Sequence, residues 1–396
     1  MSLLSLWRSA VAFPLTVLLV ASSFALSVGA LLEVKSNGTI YYHLGGWKPP
    51  LGIEYVVDMV AAFVVTIITG LALLSIIATR RIVFRDEYGK PGTFYALICL
   101  LLAGLTGVVL TGDLFNLFVF MEIASLAGYA LVFSGGKQAM IAGFRYLILG
   151  TVGGSFFLLG VGFLYFSTGT LNMADMSIQL IGLEESRAVL AGAVFIFGGL
   201  GLKMALFPMH LWLPDAYNYA SAPVTAIIAP IMTKVAAYGM LRMFLSVFPD
   251  GYLDAVTPIA FSLVVLGLGG VIVGSLAAIR QQDLRRMLAH SSIAQLGLIA
   301  VGIGLASPLA TAAALLHIMN HAVMKGCLFL ALANMQYATG QFTLEGISGM
   351  ARRMPLTSGA FALAAIAMVG VPPSAGFFSK WYLAQAGIQS GFWPVV

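Results

Sequence analysis

Charge is scarce in this chain. Only 9% of its 396 residues are Asp, Glu, Lys or Arg, against 60% hydrophobic residues. With a mean hydropathy of +0.99, that balance excludes a soluble globule, in which roughly 25% of residues carry charge. Cysteine is nearly missing as well. Cys99 and Cys327 both lie inside apolar runs, where each serves as a small hydrophobe, so no disulfide framework is implied. No CxxC pattern, no phosphate-cradling P-loop and no GxGxxG after a strand occurs, so the sequence offers no cofactor-binding site for nucleotide, flavin or iron–sulfur cluster, no metal site, and no redox chemistry of its own. The net charge of +5 records which way the loops face and calls for no nucleic-acid partner.

What is present is a series of long apolar runs. An α-helix needs about 20 residues to cross the hydrocarbon core, and runs bounded by charged or Pro/Gly-rich stretches predict eleven spans: 10–32, 57–79, 93–112, 114–134, 139–166, 187–212, 222–247, 256–279, 291–306, 309–337 and 357–393. The fold class is an all-α polytopic membrane protein with a single transmembrane domain over 1–396. The last run is too long for one straight helix. Pro372–Pro373 and Gly376 in its middle predict two half-helices joined by an unwound segment, tolerated only where protein or a water-filled cavity surrounds it. Lys203 followed by Pro208 and Pro214 predicts a second discontinuous helix. The segments 280–290 and 340–354 mix arginine with apolar residues and predict interfacial chain.

With a cytoplasmic N-terminus in the cell inner membrane, Arg8, Arg80, Arg81, Arg85, Lys90, Lys137, Arg145, Arg280, Arg285, Arg286, Arg352 and Arg353 fall inside. Lys35, Lys48, Arg187 and Arg242 fall outside, and a bias of twelve to four supports that orientation. The first segment has a second reading as a cleaved signal peptide, which would leave ten spans.

Against this apolar background, Glu122, Lys203, Lys234, Lys325 and Lys380 sit near the middle of spans, with His321 and His317 one and two turns before Lys325. A charge at bilayer depth costs about 2.5–3.5 kcal/mol, so such residues are functional candidates by default. Glu122 is the sole carboxylate near the middle of a span. A neighbouring lysine would hold it ionised and burial would neutralise it, so a Glu–Lys pair reads either as a switch or as a static clamp between helices. His317, His321 and Lys325 recur every four residues along one helix face, roughly 12 Å from first to last. Three titratable groups in file suit a proton relay, because burial makes an ammonium readier to release its proton. Each histidine also has a plain reading as an interhelical hydrogen bond. Asn320 and Ser291–Ser292 are candidates to hold a water or a hydrogen bond. Gly150 and Gly154 read as close helix packing.

The run DLFNLFVFMEIASL from Asp113 and the run DLRRMLAHSSIAQL from Asp283 share Asp-Leu, Ile-Ala and Leu at an offset of 170 residues. Five helices separate them, so the second copy lies inverted, giving inverted-topology repeats at 93–247 and 256–396.

At FNLFVFMEIASLAGYAL around Glu122, LKMALFPMHLWLPDAYNYASAPVTAIIAPIMTKVAAYGMLR from Leu202, DLRRMLAHSSIAQLG from Asp283, HIMNHAVMKGCLFL from His317 and GVPPSAGFFSKWYL from Gly370, the chain resembles the antiporter-like subunits of Mrp-type cation/proton antiporters, respiratory complex I and membrane-bound hydrogenases. The resemblance implies an acid–lysine pair at Glu122 and Lys203, a second lysine at Lys234, a His/Lys helix at His317, His321 and Lys325, and an exit lysine at Lys380, all serving proton transfer. YYHLGGWKPPLGIEYVVD from Tyr41 to Asp58, and lysine at 380, are most similar to the D-type member of the Mrp antiporters. The leading expectation is therefore a proton-translocating subunit of a sodium/proton antiporter, working with other membrane subunits. The alternative is the proton-pumping membrane subunit of NADH:quinone oxidoreductase or of a hydrogenase, so whether the chain is part of an enzyme stays open. Members of this family usually have about fourteen helices. The chain accordingly reads as a truncated form of that fold, its second repeat incomplete.

Overall fold

The computed structural model describes residues 9–85, 91–248 and 259–395. Arg8, Lys90 and the start of the eighth expected span lie outside them. In chain order the elements are α1 Ser9–Asn37, the strands β1 Ile40–His43 and β2 Glu54–Val57, α2 Met59–Arg85, α3 Pro91–Leu110, α4 Leu114–Phe133, α5 Lys137–Thr168, α6 Met173–Gln179, α7 Arg187–Met204 and α8 Trp212–Tyr219. They continue as α9 Ala222–Arg242, α10 Ile259–Ile279, α11 Leu284–Gly304, α12 Pro308–Thr339, α13 Met350–Arg353, α14 Pro355–Val369 and α15 Ala375–Gln389. Among the described residues ten helices are long and apolar enough to cross a membrane. The chain is a multi-pass α-helical membrane protein.

The eleventh expected span is α14 and α15, each of 15 residues. Alone each reaches only about 22 Å, short of a bilayer core of about 30 Å. The break between them is built from Gly370, at φ +90°, followed by Pro372 and Pro373, which lack the N–H a helix needs. The sixth expected span breaks as well. Here α7 stops at Met204, Ala205 takes a left-handed conformation at φ 59°, and α8 resumes at Trp212. Trp212 Nε1 donates to the Leu202 carbonyl at 2.9 Å, satisfying an acceptor at the end of α7.

Helix α9 forms the centre of the bundle, its span 94% buried, packed against α12, α2 and α7. A helix apolar on every side belongs in such a position. Pro230 inside it cannot donate to the Ala226 carbonyl, and Ser75 Oγ of α2 donates there instead at 3.3 Å.

Three features depart from the sequence expectations. β1 and β2 pair as an antiparallel hairpin, fastened to the rest by Gly112 N–H donating to the Glu54 carbonyl at 2.8 Å. Helix α11 begins at Leu284, seven residues before the expected span, because the Asp283 carboxylate accepts from the Arg285 and Arg286 N–H groups and caps it. Arg285 and Arg286 therefore ride on a bundle helix, while Arg280 sits in the turn just past α10. Arg285 is buried, donating to the Asn218 and Ala220 carbonyls at 3.3 and 2.9 Å.

Two junctions at opposite ends of the bundle are built alike. At the hairpin end, Asp113 caps α4 and bridges Asn172, Leu114 N–H donates to the Leu171 carbonyl, and Gly169 ends α5 in a left-handed turn. At the other end, which is rich in arginine, Asp283 caps α11 and bridges Thr343, Leu284 N–H donates to the Phe342 carbonyl, and Gly340 ends α12 in the same turn. Helices α5 and α12 each have 32 residues.

Candidate functional site

Glu122, Ser125 and Tyr129 stand at i, i+3 and i+7 of α4, on one face. Toward that face comes Lys203, one residue before α7 ends. Its Nζ donates to Glu122 Oε1 at 2.8 Å, to Ser125 Oγ at 2.7 Å and to the Tyr129 hydroxyl at 3.4 Å. Lys203 is buried, and the Glu122 side chain keeps 23% exposure. Room for the cluster comes from α5. A Cβ at Gly154 would strike Glu122 Oε1, and one at Gly150 would strike the Tyr129 hydroxyl. Those two glycines thus seat the acid and the phenol as well as the helix. Tyr129 packs edge-on against Tyr146, which stacks on Trp212 at 4.2 Å and donates to Met232 Sδ at 3.2 Å. The cluster is tied in this way to the α7–α8 break on one side and to α9 on the other. A cavity of about 30 Å³ between Lys203, Ser125, Tyr146, Met232 and Val235 has room for about one water.

Lys234, on α9 and fully buried, has no carboxylate beside it among the described residues. Its Nζ donates to the Ala229 carbonyl at 2.6 Å and to Thr233 Oγ1 at 3.4 Å. It lies within electrostatic reach of His317, His321 and Lys325. Like charges within such reach repel, so a proton gained by one group is felt by the rest.

All three of those residues are buried on α12. His317 Nδ1 is 2.9 Å from Ser379 Oγ, and its Nε2 is 3.0 Å from Gln295 Oε1. His321 stacks on it, ring centroids 6.2 Å apart, and neither of its nitrogens has a hydrogen-bond partner among the described residues. Lys325 Nζ donates to the Leu288 carbonyl at 2.6 Å and to Ser291 Oγ. Asn320 ties α12 to the start of α15 through the Ala375 carbonyl at 2.7 Å, while Ser292 bonds its own helix. Lys380, half-buried on α15, donates to the Met368 and Val369 carbonyls at 2.8 and 3.2 Å. Its ammonium thereby caps the negative end of α14 and holds the break. His317 lies within its electrostatic reach.

All seven residues singled out in the sequence therefore lie in the bundle in two groups. Glu122 and Lys203 form one. Lys234, His317, His321, Lys325 and Lys380 form the other, and the small cavity beside Lys203 is lined on the α9 side by Met232, Val235, Ala236 and Gly239. Sequence reasoning did not single out Ser125, Tyr129, Tyr146, Gln295 or Ser379. Gln295 had a signal, an amide in an apolar run. The others are too common in membrane helices to stand out. Among the described residues no group of three or more His, Cys, Asp or Glu is placed to hold a metal ion.

Comparison with known proteins matches this architecture. The family described as NADH:quinone oxidoreductase/Mrp antiporter, transmembrane, matches residues 111–396. The N-type subunit of the NADH-quinone oxidoreductase of Desulforudis audaxviator is 45% identical over 98% of this chain and 78% of its own length. The D-type subunit of the Na(+)/H(+) antiporter of Alkalihalophilus pseudofirmus is 34% identical over 93% of this chain and 73% of its own. In the solved Mrp complex of Dietzia sp. DQ12-45-1b, one component superposes with a TM-score of 0.90 at 28% identity, over 98% of this chain and 71% of that one. A component of the membrane-bound sulfane sulfur reductase, an archaeal respiratory membrane complex, does so with 0.88 at 34% identity, over 97% and 78%. The chain belongs to the antiporter-like transmembrane subunit family of NADH:quinone oxidoreductases and Mrp antiporters.

Proposed function

We propose that this chain translocates protons within a multisubunit membrane complex. The observation that carries the reading is the series of buried ionisable groups, from the Glu122–Lys203 pair through Lys234 to His317, His321, Lys325 and Lys380. The pair acts as a switch. While Lys203 is bound to Glu122 its ammonium is held at α4; once released it can hand a proton toward α9, which lines the neighbouring cavity and carries Lys234. The proton then passes along α12 and leaves through Lys380, whose position at the α14–α15 break couples its charge to that break. His321, neither nitrogen of which has a partner among the described residues, is a natural carrier in such a series because an imidazole can accept on one nitrogen and donate from the other.

The residues 93–247 and 256–396 act as inverted repeats, a reading supported by the matched junctions at Asp113 and Asp283. Lys203 and Lys380 each stand beside a helix break in their own half. The arginine end faces the cytoplasm, in keeping with the excess of Lys and Arg there.

Two driving forces suit this subunit. Redox drive is supported by the 45% identity to a relative named as a component of an NADH-quinone oxidoreductase. Sodium/proton exchange of the Mrp type is supported by relatives named as D-type components of Na(+)/H(+) antiporters and by the resemblance of Tyr41–Asp58. Lys203→Ala and Glu122→Ala in sealed vesicles test the common core. Both variants should lose pH changes driven by sodium or by electron donors, whichever the wild type shows. Normal activity in both would sink the mechanism. The wild-type response itself tells the two drives apart.

A further inference from the structure

Two imidazoles at the arginine end are not used by the series above. His210, in the segment that breaks α7 from α8, stacks on Phe207 with ring centroids 5.6 Å apart and is 7% exposed. Its Nδ1 is buried and has no hydrogen-bond partner among the described residues, and the same is true of Nδ1 of His290 on α11. His290 lies within electrostatic reach of His210, Asp215 and Arg286. Asp215 accepts from Arg145 at 3.1 Å and from Arg286 at 3.2 Å, and the two arginine side chains are 65% and 40% exposed, so this ion-pair cluster opens to the surface. On the inner side, the residue next to His290 is Ser291, which accepts the hydrogen bond from Lys325 Nζ. One helix, α11, thus carries in order a surface arginine at 286, an imidazole at 290, the Lys325 partner at 291 and the His317 partner at 295.

Two imidazole nitrogens without partners among the described residues, beside a surface ion-pair cluster and on or against the helix that supplies the Lys325 partner, suit moving a proton. Resting on the proton-translocation reading, we propose that His290, with His210 beside it, is the proton-transfer residue of the arginine end, exchanging protons between the Asp215 cluster and Lys325. The step moves protons only. One ring nitrogen of His290 takes up a proton arriving from the surface, the other releases the proton it carried toward Ser291 and Lys325, and tautomer exchange resets the ring. No electron or heavy atom changes place.

The test is chemical rescue in the assembled membrane complex in sealed vesicles. His290→Ala should slow proton translocation by about 10²-fold, and millimolar imidazole on the arginine end should restore a large part of it, whereas His290→Phe, which leaves no space for imidazole, should be slow and stay slow. A wild-type rate in His290→Ala overturns the proposal. So does a slow His290→Ala enzyme, normally assembled, that imidazole does not restore, since that is the mark of a packing residue. Lys325→Met separates the two levels. If it abolishes translocation while His290→Ala is normal, only the relay fails; if Lys325→Met is itself normal, the underlying reading fails.

Discussion

The contact between Lys203 Nζ and Glu122 Oε1, at 2.8 Å, permits the most detailed prediction. At an effective permittivity of about 20 the Coulomb attraction across that distance is roughly 6 kcal/mol. Desolvation of both charges and the ordering of two side chains oppose it, and the 23% exposure of the Glu122 side chain weakens it further. A coupling of about 3 kcal/mol is left. Lys203 also keeps its bonds to Ser125 and Tyr129 when Glu122 is gone, which limits the loss from Glu122→Gln. The cycle of Glu122→Gln, Lys203→Met and the double variant, followed by denaturant unfolding in detergent, should therefore show the double destabilised less than the sum of the singles by about 3 kcal/mol. If making and breaking the pair gates the proton, that energy corresponds to about 150-fold in rate. All three variants should then be slow in vesicle proton uptake, including the double, in which stability is partly recovered. Additive singles, or a double variant translocating at the wild-type rate, would refute the reasoning; the second result would make the pair a clamp between helices.

Two further outcomes follow from the surroundings of the pair. Gly154→Ala places a methyl against Glu122 Oε1, so the carboxylate must leave Lys203 or α4 and α5 must separate; a loss of about 1–3 kcal/mol in detergent unfolding is expected, with partial recovery of proton uptake when Glu122→Asp shortens the acid. Trp212→Phe keeps the stack on Tyr146 but removes the donor to the Leu202 carbonyl, which should cost about 1 kcal/mol and slow proton uptake by about fivefold, measured in the same vesicles.

Much of this fold is legible in the sequence because a bilayer imposes one strong rule: backbone polar groups must be satisfied within the span. The ranges of α3, α4, α5 and α12 follow from hydropathy alone to within two residues, and α2 runs six residues past its expected end. Both helix breaks could be placed, since Pro372–Pro373 with Gly376, and Pro208 with Pro214, interrupt runs that also hold a lysine. The hairpin could not. Its strands have four residues each and are fastened to Gly112 and Asn172 by contacts far apart in sequence. The start of α11 was also missed, because arginines at 285 and 286 look interfacial until Asn218, Ala220 and Asp215 are seen to take their donors. In the site, charge at bilayer depth marks Glu122 and the four lysines, whereas serine and tyrosine carry no such penalty. Only the packing of α4 against α5 and α7 selects Ser125 and Tyr129 from among them. The same holds for His210 and His290, each of which has an Nδ1 without a partner among the described residues.

The account stands most directly on Lys234, the cation placed within electrostatic reach of His317, His321 and Lys325 together. Proton uptake by sealed vesicles carrying Lys234→Met, with assembly of the complex verified on the same preparation, measures whether the two groups of buried charges work as one path. The account predicts an intact complex in which proton uptake falls by about 10²-fold. An intact complex with wild-type uptake would contradict it.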